Sequence, residues 1–197
     1  MGVELTPAMA KHSVDTFRET FTEVVQFWAD MDAAVRQVIR TGKPKTVGYL
    51  RIDMKKPYLR IVLPSDRALH YKEPKLQQWK MPWKDRKGKA VYKESITYEN
   101  VENGQWKRVS THPGKLAENV TQAVARDLLA HGMQLAHSRG ADIRIHVHDQ
   151  IVEVVKKNKS DKMLKKLIGD MSARPWWADK KLPLAADGFT SPVFLKD

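Results

Sequence analysis

The chain has 197 residues, 42% hydrophobic and 29% charged, the balance of one soluble globular domain with a sizeable core rather than of a disordered or fibrous protein. It contains no cysteine, which excludes a disulfide framework and a thiolate zinc site, and no apolar run nears the roughly 20 residues of a membrane span, so no membrane partner and a cytoplasmic location are expected. Its 35 Lys and Arg against 23 Asp and Glu give a net charge of +12, the footprint of a protein that meets polyphosphate.

Taken in order, Thr6-Pro7 starts a helix: the hydroxyl can accept an orphan amide and the proline suits the first helical position. Val14, Phe17, Phe21, Val24, Trp28, Met31, Val35 and Val38 form one apolar stripe, with its aromatic members expected in the core, and Thr41-Gly42-Lys43-Pro44 ends it. From Val47 to Ser110 the pattern turns to short β segments, with Asn103-Gly104 as a hairpin signal. The stretch Gln77 to Lys89, rich in lysine and tryptophan, lacks an apolar period and is expected as a mobile surface loop. Basic residues from Lys55 to Lys89 interleave with Tyr71, Trp79 and Trp83, which offers both charge and stacking surface.

Residues 115–130 read as a long helix. Leu116, Val120, Ala123, Val124 and Leu128 share its apolar stripe, while Glu118, Asn119, Gln122 and Arg126 project elsewhere. A hairpin follows, in which Ile143, Ile145 and Val147 alternate with Arg144, His146 and His148, as in a half-buried strand, and Ile151 to Val155 form its partner. Asp149 is thereby forced to the bend. Aspartate is a common turn former, but a carboxylate on a rigid bend can also be aimed at a metal with little entropy left to lose. Further on, Ser160-Asp161 caps a helix through Met171, and Leu184 to Leu195 is expected to be a last extended segment.

Gly114 to Asp127, followed by Val147-His148-Asp149-Gln150, resembles the last third of a family A DNA polymerase of the phage type, similar to bacterial DNA polymerase I. In that family the pattern Gly-Lys-Leu-x-Glu-Asn-x-x-Gln-Ala-x-Ala-Arg-Asp is the long palm helix and His-Asp-Glu is the third polymerase motif. Phe17-Arg18-Glu19 through Phe27-Trp28, Leu63-Pro64-Ser65-Asp66-Arg67 and Pro183 to Phe189 match in order, so the resemblance covers nearly the whole chain. It implies an α+β fold: residues 1–44 as helices from the base of the fingers, and 45–197 as palm, an antiparallel hairpin with its long helix, carrying a basic β-rich insertion. The two are expected to form a single compact unit.

The resemblance also implies roles. Asp149 is a metal ligand and, with His148 near the primer terminus, catalytic; Gln150 stands at the metal where the family has glutamate. Gln122 reaches the minor groove of DNA, with Asn119, Arg126 and Lys115 as further DNA contacts on the same helix, although Asn119 is out of register with the bacterial enzyme's asparagine. Two Mg2+ ions are implied, which such enzymes use to activate the primer hydroxyl and neutralise the leaving pyrophosphate. The first motif, with its own aspartate, and the fingers helix that grips the dNTP are absent, and Asp53 does not fit the first motif. The chain is therefore expected to be the C-terminal subunit of a split polymerase, sharing its metal ions with an N-terminal polypeptide that carries motifs A and B and acting on primer-template DNA. The alternative is an inactive nucleic-acid or replisome binding module derived from one.

Overall fold

A computed structural model describes residues 6–195. Helix α1 (Pro7–Thr20) opens on the predicted cap, with the Thr6 hydroxyl accepting from the Met9 amide at 3.2 Å. Phe21 interrupts it, and α2 (Thr22–Thr41) runs on to Gly42, whose φ of 69° lets its amide close back on the Val38 carbonyl. Strands β1 (Lys45–Val47), β2 (Leu50–Lys55), β3 (Tyr58–Val62), β4 (Ala68–Lys84), β5 (Ala90–Glu102) and β6 (Gln105–Thr111) form one antiparallel sheet in sequence order. Then come α3 (Pro113–Ser138), a separate two-stranded hairpin of β7 (Ile143–Val147) and β8 (Gln150–Glu153), a 3-10 turn at Lys157–Lys159, and α4 (Ser160–Met171). The fold is α+β, as expected. Among the described residues no helix is long and apolar enough to cross a membrane.

Contacts divide the chain into two compact units, one of residues 6–63 and 68–120, the other of Pro64–Arg67 and residues 121–195. The sequence pattern changes after residue 44, but contacts in the first unit run across that point because α2 packs on β1, β2 and β4. Met31, Val35 and Val38 on α2 and Ile52, Leu59 and Ile61 on the sheet are fully buried. Each such side chain contributes about 1.5–3 kcal/mol. Asp53 on β2 faces a different partner: the Arg60 guanidinium donates to both its oxygens at 2.8 Å and holds its carboxyl below the usual range, opposed by burial.

Three expectations need correction. The aromatic stripe of α1 is not core: no residue of α1 is buried, and Phe17 and Phe21 remain 40% and 50% exposed although their rings pack at 4.9 Å and Phe17 stacks on Trp28. Helical spacing collects an apolar face without specifying what covers it. Gln77 to Lys89 is not a loop but the outer part of a β-ribbon, with Gln77 paired to Ser95, Lys80 to Tyr92 and Lys84 to Ala90. Trp79, Met81 and Trp83 alternate with Gln78, Lys80 and Lys84, and Gln77, Trp79 and Met81 are half-buried where Gln78 and Lys80 are exposed, so the stretch carries the period of two of a strand with one solvated face. Finally, residues 172–195 hold no strand; Pro192 removes a ladder donor within Leu184 to Leu195, the segment expected to be extended.

In the second unit, Gly132 on α3 meets α4 so closely that a Cβ there would lie 2.7 Å from the Met171 sulfur and 3.1 Å from its Cα. The segment Pro64–Arg67 is pinned to α3 through Asp127, which accepts from the Ser65 hydroxyl and from Arg67 Nε at 2.6 Å, while Arg67 also donates to the Ala123 carbonyl at 2.7 Å.

Candidate functional site

The β7–β8 hairpin turns in two residues. Val147 pairs with Gln150, leaving His148 and Asp149 as the turn, and His148 adopts φ 50°. A non-glycine residue in that left-handed region costs about 1–2 kcal/mol, though histidine tolerates it better than most. The consequence is a sharp bend that turns the Asp149 carboxylate to solvent. His148, Asp149 and Gln150 are all exposed, and among the described residues the Asp149 carboxylate has no ion-pair partner within 4 Å.

The hairpin is short, and its strands are less buried than alternation predicts: Ile145 and Val147 are 37% and 46% exposed. Its position is set by an ion network instead. Arg139, just past α3, donates to both oxygens of Glu153 on β8 at 3.0 and 2.8 Å and to Asp170 on α4 at 2.6 Å. The Glu153 side chain is 4% exposed. Its forked bonds, then those from Asp170, hold the Arg139 proton even more tightly than usual. None of these three residues was among the sequence candidates. The signal was there in Glu153, a lone carboxylate inside the β-branched run Ile151 to Val155.

The DNA-contact candidates on α3 divide by environment. In the first unit, the Lys115 ammonium is tied to Glu118 at 3.1 Å, and the Asn119 amide donates to the Tyr71 hydroxyl at 3.0 Å. Burial pushes the Tyr71 ionisation up, so this hydroxyl stays neutral and available as acceptor. In the second unit, Gln122 and Arg126 are exposed. Arg126 lines a groove of about 420 Å³ between α3 and β7, together with Met133, His137, Arg144 and His146. The groove thus brings α3 and the Asp149 hairpin to one surface of this unit, with two arginines on it.

Whether the donor set suits the implied Mg2+ pair can be tested on its chemistry. Two divalent ions need at least two converging carboxylates. Here Asp149 supplies one and Gln150 a neutral carbonyl, and among the described residues no group of three or more His, Asp or Glu is placed to hold a metal. These residues fit one edge of such a site.

The chain is 37% identical over 186 residues, 93% of its length, to a DNA polymerase of Bacillus phage SP02. It spans about a quarter, 27%, of that relative. No family model and no solved structure matches it.

Proposed function

We propose that this chain is the C-terminal subunit of a split family A DNA polymerase, which supplies the Asp149 turn and the α3 surface for template-directed DNA synthesis. The observation that carries the reading is the solvent-facing carboxylate on a sharp hairpin bend, with no group of three His, Asp or Glu placed to hold a metal among the described residues, in a chain that is similar to a phage DNA polymerase over a quarter of that enzyme. An N-terminal polypeptide with motifs A and B supplies the missing carboxylate and the dNTP-binding fingers. The exposed apolar faces at Phe17, Phe21 and Val24 and at Ile145 and Val147 support such a partner, since surfaces of this kind mark interfaces.

In this scheme Asp149, with Gln150 beside it, holds magnesium at the palm edge. The bound ions would lower the charge barrier to phosphoryl transfer. His148 sits at the primer terminus. Gln122 and Arg126 approach the minor groove, whose degenerate acceptors let a protein test pair shape without reading sequence, and Asn119 and Lys115 brace the first turns of the same helix. The test is primer extension with magnesium and dNTPs: synthesis should appear when this chain is mixed with a polypeptide carrying motifs A and B, and not with either alone. Robust extension by this chain alone would overturn the split arrangement. A second reading, a catalytically inactive binding module, is favoured by Gln150, which withdraws a full negative charge from the metal edge; DNA binding without extension in the mixture would support it.

A further inference from the structure

We infer that the β4–β5 ribbon is a binding arm for single-stranded DNA, separate from the Asp149 turn. Its outer part carries Lys80, Lys84, Arg86, Lys87 and Lys89, and among the described residues none of these five has a carboxylate within 4 Å. Nearer the helix-packed part of the sheet several cations are paired, Arg60 with Asp53, Lys72 and Arg108 with Glu99, and Arg36 and Arg40 of α2 with Glu94, whereas at the ribbon's tip five unpaired cations gather within ten residues. The one acid at the tip, Asp85, is used as a staple, its Oδ1 accepting from the amides of Lys87 and Lys89 at 2.8 Å each. Gly88, at φ 75°, closes that turn. The tip cations are therefore presented on an ordered turn rather than on a slack loop.

Charge alone would suit any polyanion, and the aromatic side chains decide among them. Trp83 and Tyr92 are 51% and 59% exposed, a costly placement for large rings on a ribbon without a core beneath it. The Lys93 ammonium lies 5.5 Å from the Trp83 ring centre, and Tyr92 pairs across the ribbon with Lys80, so each exposed ring has a cation beside it. Flat rings next to cations fit unpaired bases with their phosphates; in a duplex the base faces are hidden and the rings would have nothing to stack on. Lipid is disfavoured because the tip itself is wholly polar, Asp85 to Lys89.

The test is fluorescence anisotropy of a labelled oligothymidylate with the full chain across a salt series, and it requires no extension activity, so failure of the polymerase reading and failure of this one are separable. The variant R86A/K87A/K89A should bind at least about tenfold more weakly near physiological salt, with a log–log salt slope shallower by about 2, from about 0.7 per phosphate contact on a single strand. Trp83→Ala should lose about tenfold with its slope unchanged, and Trp83→Phe should recover most of that. The charge-matched variant K162A/K165A/K166A, on exposed positions of α4, should change affinity by less than about threefold. The inference is overturned if the ribbon variant binds like the parent, if the α4 variant loses as much, or if duplex DNA binds as tightly and Trp83→Ala has no effect.

Discussion

Two of the molecule's antiparallel hairpins, β4–β5 and β7–β8, solve the same problem in opposite ways. The β4–β5 ribbon is long, pairing from Lys72 to the Lys84–Ala90 rung; its inner rungs bury Ser95, Ile96 and Thr97, and beyond them the ladder carries Lys80, Trp83 and Tyr92 out with their side chains exposed. The β7–β8 hairpin has strands of five and four residues, too few to be stable as an isolated pair. It borrows order from α3 and α4 through Arg139. The difference teaches where each can tolerate change: in the proposed roles the ribbon would spread its chemistry over many replaceable charges, whereas the hairpin would concentrate its own in one carboxylate, and its geometry rests on one guanidinium.

The largest expected effect falls on that carboxylate. Asp149→Asn in the reconstituted complex should lower primer extension by at least about a thousandfold, since several kcal/mol of transition-state charge stabilisation goes with the metal's anchor on this strand. Steady-state extension rates at saturating magnesium check it; an unchanged rate removes Asp149 from the chemistry and makes it a turn former.

Next comes Arg139→Ala, which leaves Glu153 buried and unpaired and should cost about 3–5 kcal/mol. Hydrogen exchange distinguishes the two hairpins here: amides of β7 and β8 should lose protection while those of β4 and β5 keep theirs. Equal loss in both would mean that Arg139 holds up the whole chain rather than the site alone.

Much of this was legible in the residues, and the reasons differ by element. Thr6-Pro7, Thr41-Gly42 and Asn103-Gly104 mark their boundaries through local backbone chemistry, so the structure has them where the sequence predicts. The Asp149 bend was legible because the alternation from Ile143 to Val147 and the β-branched run from Ile151 to Val155 meet there. Phe17 and Phe21 misled, since a stripe looks the same whether it is covered by this chain or by another. The ribbon misled for a different reason: the short alternation of Trp79, Met81 and Trp83 with Gln78, Lys80 and Lys84 is masked by the lysines and by Pro82, and what makes it a strand is its pairing with β5, as in Gln77 with Ser95. The Arg139 network went unread because its three members are distant in sequence and meet only through the fold.

A smaller effect sharpens the comparison on the sheet side. Arg60's forked donation lowers the Asp53 carboxyl pKa in the folded state, so the stability it contributes is present above the ordinary aspartate range and is lost as pH falls through and below it. Asp53→Asn should therefore destabilise the fold most at neutral pH and progressively less as pH falls below the ordinary aspartate range, by chemical denaturation. A deficit that persists undiminished in acid would assign the loss to packing instead of to the charge.

The smallest effect is the most diagnostic for the metal edge. At Gln150 a carbonyl can accept a hydrogen bond or ligate a hard cation weakly, but it brings no charge to a site that must hold two divalent ions. The side chain is exposed and next to Asp149, so a carboxylate there would be accommodated without repacking. A unit charge about 4 Å from a cation in a water-like medium gains on the order of 1 kcal/mol, so Gln150→Glu should lower the magnesium concentration for half-maximal extension by about fivefold. Its effect on the rate at saturating magnesium should be modest, because in the proposed complex Asp149 and the partner's carboxylate would already anchor the ions. Magnesium titrations of the parent and the variant decide it. An unchanged midpoint would place Gln150 away from the ions and leave Asp149 as this chain's single contribution to them.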